Sequence, residues 1–380
     1  MHYLDSLNEP QRAAVMNLNG PMMIIAGAGS GKTRVLTYRI AFLIENGIEP
    51  FNIMALTFTN KAAKEMKERI QKIVGNEAKN LWMGTFHAIF AKILRIEGEK
   101  LGYSSNFTIY DTDDAKTILT DIIKDFHLDD KIYRPNSVLS RISSAKNHLI
   151  SWQMYQHHPE LISEDEAANR PKIAEIYKEY ALRCFKANAM DFDDILFNMN
   201  VLLRDHLDVL NKYQRKFQYV LIDEFQDTNL SQYLIVRKLS ASHRNICVVG
   251  DDAQSIYAFR GANIQNILHF EKDYPDLKIV KLEQNYRSTQ NIVNVANSVI
   301  RHNKGQIQKN VWTANEEGAK IDLIKASNDN EEGRLIASSI FETKVQYNAS
   351  NRDFAVLYRT NAQSRAIEEN LRRLNIKYKI

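Results

Sequence analysis

The chain has 380 residues, 44% of them hydrophobic and 25% charged, with 50 basic side chains against 46 acidic ones and a net charge of +4. Its length exceeds one ordinary core and predicts two or three domains, while the balanced composition and the lack of any run of eighteen apolar residues exclude a disordered, fibrous or membrane-spanning chain. Two cysteines outside any CxxC pair, Cys184 and Cys247, exclude a disulfide framework and a zinc cluster; the mild positive charge is compatible with a polyanionic partner.

The opening MHYLDSLNEPQR lacks the charged-then-apolar layout of a secretory leader, so a cytoplasmic location is expected. From there to about residue 110 helix and strand patterns alternate. LNEPQRAAVMNL reads as a helix, PMMII as a buried strand, TRVLTYRIAFLIENG as a helix ended by Asn46-Gly47, NIMALTFT as a strand and NKAAKEMKERIQKIV as a helix before LWMGTFHAIF. This is a parallel α/β pattern. Between its first strand and the next helix lies IIAGAGSGKT. Gly27, Gly29 and Gly31 let the backbone turn its N–H groups inward at a helix N-terminus, a place that favours phosphate. Lys32 then reaches the outer phosphates and the Thr33 hydroxyl is a magnesium ligand. The strict form of this loop begins with Gly, where this chain has Ala26.

Residues 111–189 lose the strand pattern and turn helical and polar, which predicts an inserted helical subdomain. Strands resume in residues 190–278 with QYVLIDE and NICVVGD, both ending in carboxylates at the edge of a parallel sheet where ligands bind. In VLIDEFQDTN, Asp223 suits a magnesium ligand and Glu224 a base for an attacking water; an acidic strand end by itself reads rather as a solvated turn or a helix cap, and its pairing with the loop lysine on another strand of the same sheet reverses that preference. In VVGDDAQSIYAFRGA, Gln254 suits a γ-phosphate sensor. Tyr257 and Phe259 beside Arg260 read either as a stacking platform for single-stranded nucleic acid or as core residues. Residues 279–380 start a second α/β series (KIVKLEQ, TQNIVNVANSVIRH, KIDLIKA, EEGRLIASSIFETKV, FAVLYRT, AQSRAIEENLRRL) that stops at KYKI, so a partial second lobe is expected.

Eight segments in one order, LNEPQRAAV, AGAGSGKT, LTFTNKAAKEM, GTFHAIF, DFDD, DEFQDTN, GDDAQSIYAFRGA and LEQNYRS, make the whole chain resemble the UvrD, Rep and PcrA family of superfamily 1 DNA helicases. The resemblance implies two RecA-like lobes of P-loop NTPase type, the first at 1–110 and 190–278 with the insertion at 111–189, and ATP with Mg2+ in the cleft between lobes. It implies 3′-to-5′ movement along single-stranded DNA, with single-strand/double-strand junctions as further partners and repair or replication as the setting. Nucleotide contacts carry over to Gln11 on the adenine edge and to Ala26, Gly27, Ala28, Gly29, Ser30, Gly31, Lys32, Thr33 and Arg34 of the loop. Arg39 and Tyr286 carry over as the pair sandwiching the base, and Arg287 as an arginine finger. DNA contacts carry over to Phe58, Thr59, Asn60 and Lys61, to Thr85, Phe86 and His87, to Phe192 between Asp191 and Asp193, and to Tyr257, Phe259 and Arg260. Phe259 stands where the family has tryptophan, and Phe225 where it has tyrosine. The family's later segments have no counterpart here, so the chain is expected to bind nucleotide and to be incomplete for unwinding.

Overall fold

The computed structural model describes residues 2–258 and 261–380. Within Met1–Gly318, one of two compact units, four strands are buried along their whole length, β1 (Met22–Ala26), β2 (Ile53–Thr57), β6 (Tyr219–Ile222) and β7 (Ile246–Gly250), while β3 (Trp82–Thr85) is buried only at Trp82. Strands covered on both faces carry near-continuous apolar sequence, because neither face meets water. With β8 (Lys278–Leu282) they form one six-stranded sheet in the order β3-β2-β6-β7-β1-β8. Every pairing in it is parallel. Helices cover both faces. One core gathers Phe86, Phe90, Leu94, Ile195, Phe225 and Phe270, and the other gathers Val35, Leu36, Ile40, Leu43, Met66 and Ile70.

A separate pair of short parallel strands, β4 (Thr108–Tyr110) and β5 (Ala189–Asp191), brackets five helices between Thr112 and Lys186. These enclose their own core of Leu119, Ile122, Ile142, Tyr155, Ile176, Tyr180 and Cys184. Both cysteines are buried and free. Among the described residues no helix is long and apolar enough to cross a membrane, and no group of three or more His, Cys, Asp or Glu side chains could hold a metal ion.

The structure differs from the sequence reading after residue 277. KIVKL was expected to open a second lobe; instead β8 pairs with β1 from Met22↔Lys278 to Ala26↔Leu282. Its side chains, exposed except for the partly buried Val280 and the buried Leu282, suit an edge strand, and its backbone groups cover what would otherwise be an unpaired edge beside the glycine loop. In the second unit, Ala319–Ile380, the helices Asp329–Tyr347 and Asn361–Arg373 pack around Ala337, Ile367, Leu371 and Ile376. The expected strands KIDLIKA and FAVLYRT form no ladder there. An extended segment is stable as a strand only with hydrogen-bonded neighbours. Val356 and Tyr358 pack against the helix pair and leave Leu357 94% exposed.

This helix pair depends on one close approach. A Cβ at Gly333 would lie 2.6 Å from the Ala366 carbonyl oxygen and 2.9 Å from Asn370 Nδ2. Backbone cannot swing aside as a side chain can, so Gly333→Ala should force the helices apart at a cost of roughly 1–3 kcal/mol. Hydrogen exchange checks this: amides of Asn361–Arg373 should exchange faster in the variant, while those of β1, β6 and β7 are unchanged.

Candidate nucleotide and nucleic-acid site

All six strands of the large sheet end at one edge, and the loops that follow them meet there. After β1 the chain turns through Gly29 (φ +69°) and Gly31 (φ +87°) into the helix Lys32–Glu45. Ser30 Oγ donates to the Gly27 carbonyl at 2.7 Å and fixes the turn. The glycines also admit neighbours. A Cβ at Gly27 would lie 2.6 Å from Val311 Cγ2, and one at Gly29 2.7 Å from Asn285 Nδ2. Asn285 Nδ2 donates to the Ala28 carbonyl at 2.7 Å and the Tyr286 N–H to that of Gly29 at 3.0 Å, so LEQNYRS lies directly on the loop. The exposed Arg287 follows, its N–H held by Asn285 Oδ1 at 2.8 Å.

From β6, the next strand but one, come Asp223 and Glu224. Glu224 adopts φ 50° and ψ 44°, a left-handed conformation that a non-glycine residue holds only when its surroundings impose it. Its Oε2 lies 3.2 Å from Lys32 Nζ. That ammonium is buried and makes no hydrogen bond, so its donors are unused. An anion held by the loop's N–H groups fits them. Burial first, and the neighbouring Glu224 charge second, push the Asp223 carboxyl up to about 7. Such a pair of apposed carboxylates fits a cation, with Thr33 lining the same cavity. Gln254, after β7, donates from Nε2 to Asp251 Oδ2 at 2.6 Å and lines that cavity too.

Two residues here escaped the sequence reading of function. Gln226, inside a segment singled out for its acids, bonds Glu224 Oε2 at 2.9 Å. Lys309, with no sequence signal at all, places a buried Nζ 2.8 Å from Asp251 Oδ1 and 2.7 Å from Asp252 Oδ1. Burial works to lower the Lys309 pKa, and the two aspartates more than reverse it.

Gln11 caps the helix Glu9–Met16 in a reciprocal box with Asn8 and donates from Nε2 to the Ser30 carbonyl at 2.9 Å, which sets it against the loop. Tyr286 joins the same corner, its hydroxyl accepting from Asn8 Nδ2 at 2.8 Å. Arg39 requires a correction. It is 2% exposed, and its guanidinium donates to the carbonyls of Ala14, Asn17 and Leu18. Committed to the end of the preceding helix, it cannot stack on a base. Arg34, on the loop side of the same helix, bonds Ser6 Oγ at 2.6 Å and lies over the Tyr38 ring at 5.4 Å. Five residues turn a helix by about 140° and advance it about 7.5 Å, which separates the two arginines.

One cavity of about 1120 Å³ joins this site to the nucleic-acid candidates. Thr33, Asp223, Glu224 and Gln254 line it together with Phe58, Thr59, Thr85, His87, Phe192 and Tyr257, and Ser140, Ser143 and Asn147 of the insertion line it as well. Thr59 caps the helix Asn60–Val74, which leaves Asn60 and Lys61 exposed in its first turn; Thr85 caps the helix Phe86–Glu97. Phe192 is 48% exposed and meets His87 edge to face at 5.6 Å. Phe86 is a second correction: although it borders the cavity, it is 1% exposed and packed on Phe58 and Phe90, so its ring belongs to the core. Phe259 and Arg260 lie outside the described residues.

Burial lowers the His87 pKa to about 4 against an opposing pull from Asp191. A base with a depressed folded pKa contributes stability above its unfolded value, near 6.5, and loses it as the pH falls toward about 4. A proton NMR titration of the His87 ring should therefore show a midpoint near 4. His87→Gln should flatten the loss of stability between pH 6.5 and 4 by roughly 3 kcal/mol.

The sequence model of the UvrD/REP helicase N-terminal domain matches residues 7–275, and that of the UvrD-like helicase C-terminal domain matches residues 280–380. The chain is 45% identical over 379 residues to the ATP-dependent DNA helicase PcrA of Bacillus subtilis, covering 99% of this chain and 50% of that protein. It is 45% identical over 377 residues to the PcrA of Staphylococcus aureus and 44% identical over 374 to that of Staphylococcus epidermidis, again covering 50% of each. The chain thus spans about half the length of the curated relatives it matches. With a matching model over most of its length and the glycine loop and acidic strand ends gathered at one sheet edge, the chain belongs to the UvrD/Rep helicase family.

Proposed function

We propose that this chain forms the ATP-binding and hydrolysing part of a 3′-to-5′ DNA translocase that moves on single-stranded DNA and engages single-strand/double-strand junctions, in DNA repair or replication. The observation that carries the reading is the buried Lys32 ammonium, without a hydrogen-bond partner and 3.2 Å from Glu224, a residue that lines the same cavity as Phe58, His87, Phe192 and Tyr257.

In this reading the N–H groups of residues 27–33 and Lys32 bind the β- and γ-phosphates, and Gln11, Arg34 and Tyr286 hold the adenine end. Thr33 and Asp223 hold magnesium, which supplies charge neutralisation at the phosphates. Gln254 orients a water. Glu224 takes one of its protons as the oxygen bonds to the γ-phosphorus, and the bridging oxygen leaves with ADP; Arg287 stabilises the charge that develops on the transferred group. The aromatic side chains stack bases without reading sequence, while Thr59, Asn60, Lys61 and Thr85 contact the backbone.

Lys32→Ala should weaken binding of a fluorescent ATP analogue more than about tenfold, whereas Glu224→Gln should keep that binding and abolish DNA-stimulated phosphate release. Phosphate release by Glu224→Gln at the unmodified rate would remove Glu224 from its role. On the DNA side, Phe58→Ala and Phe192→Ala should each weaken binding of a single-stranded oligonucleotide by about 1–3 kcal/mol, with little change in base preference. Binding should also weaken steadily as salt rises. Titrations at several salt concentrations check both, and unchanged affinity in the double variant would rule out the stacking wall.

A further inference from the structure

Gln226 is 2% exposed, and its side-chain amide is used at both ends. Nε2 donates to Glu224 Oε2 at 2.9 Å and lies 3.3 Å from Asp227 Oδ2. Oε1 accepts the backbone N–H of Asp251 at 3.0 Å. Asp251 is the residue whose carboxylate holds Gln254, and the Gln226 carbonyl accepts from Ser255 Oγ at 3.2 Å. One planar amide thus spans the ends of the neighbouring strands β6 and β7. Space has been left for it: a Cβ at Gly250, the last residue of β7, would lie 2.7 Å from Gln226 Oε1. Nothing about the strand itself asks for glycine there, since Gly250 is not among the glycines with positive φ.

We infer that Gln226 is a positioning residue for hydrolysis, holding the Glu224 carboxylate in register with the loop that carries Gln254. The inference rests on the reading of Glu224 as proton acceptor. Glu224 sits on a left-handed backbone with a carboxylate that Lys32 alone would draw toward the phosphates. A hydrogen bond to a charged group is strong and directional, so the Gln226 amide fixes where that carboxylate points. Because the same amide is anchored on the Asp251 N–H, a displacement of the sensor loop displaces the base with it.

Two variants of this chain test the assignment by different routes. Gln226→Met removes all three side-chain hydrogen bonds at nearly constant volume; Gly250→Ala keeps the Gln226 side chain and crowds its amide oxygen, with Ile267 Cδ1 the next atom met at 3.0 Å. Affinity for a fluorescent ATP analogue with magnesium should stay within about twofold of the unmodified chain in both, while kcat for DNA-stimulated phosphate release falls at least about tenfold with KM unchanged. Release within twofold of the unmodified rate overturns the inference, as does a loss matched by an equal loss of nucleotide affinity. Should the unmodified chain release no phosphate, the hydrolytic reading fails and the inference is decided by the Asp251 amide resonance in nitrogen-15 NMR. Magnesium–ADP with beryllium fluoride should move that resonance in the unmodified chain and leave it in place in Gln226→Met. Equal movement in both, or none in either, overturns the inference.

Discussion

Two neighbouring parallel strands deliver four carboxylates to one edge, the buried Asp223 and partly exposed Glu224 from β6 and the buried Asp251 and Asp252 from β7, and the rest of the site is arranged around balancing them. A buried charge without a partner costs far more than a surface one, because the lost hydration is not replaced. The two halves are balanced differently. Asp251 and Asp252 share the buried Lys309, with Asp252 Oδ2 also accepting the Ile307 N–H at 2.8 Å, and that half is closed. Beside Asp223 and Glu224 stands Lys32, 3.2 Å from Glu224 and without a hydrogen bond, while burial and the Glu224 charge keep the Asp223 pKa raised. The closed half fixes the loop that carries Gln254. The open half is electrostatically unfinished, and a magnesium–phosphate pair has the charges that would finish it.

The helical insertion is tied to this edge by polar contacts as well as packing. Asn229, at the end of the acidic segment, donates from Nδ2 to Asn147 Oδ1 at 2.6 Å, and Asn147 Nδ2 donates to Asp193 Oδ1 at 2.9 Å. Next to it the buried Lys146 bonds Asp191 and Asp194, each at 2.7 Å. Helix Pro135–Asn147 is therefore pinned at its end between the acidic segment and the end of β5, which makes it a fixed wall of the shared cavity. Partners satisfied on both sides rigidify such a network and penalise any movement that separates them.

Much of this edge was legible in the sequence, because the signals are local: apolar strands ending in acids, glycines before a lysine, a helix stop at Asn46-Gly47. Two residues assigned to ligands carried contrary local signals. Arg39 lies three residues after Leu36 and four before Leu43, on the apolar stripe of its helix, and the structure buries it there. Phe86 begins the run Phe86, Ile89, Phe90 and Ile93, whose spacing marks a core face. Other features had no local signal to read. The pairing of β8 with β1 joins residues some 250 positions apart, and a half-polar strand says nothing of which sheet takes it. Lys309 was equally illegible, since its value comes from Asp251 and Asp252 lying beside it in the fold.

The left-handed backbone at Glu224 connects these observations. A non-glycine residue in that region costs of order 1–3 kcal/mol and persists only when several contacts hold it. Here the Glu224 N–H donates to Asp223 Oδ1 at 3.0 Å, its carbonyl accepts the Asp227 N–H at 3.0 Å, and its carboxylate is gripped by Gln226 and Lys32. An extended residue at this position would continue β6 and carry the carboxylate out along the strand. The turn instead folds it back over the glycine loop, within reach of Lys32. The strain is thus the geometric condition for bringing a carboxylate after β6 within 3.2 Å of a lysine after β1, and the contacts that maintain it include the Gln226 amide that joins the acidic segment to Asp251.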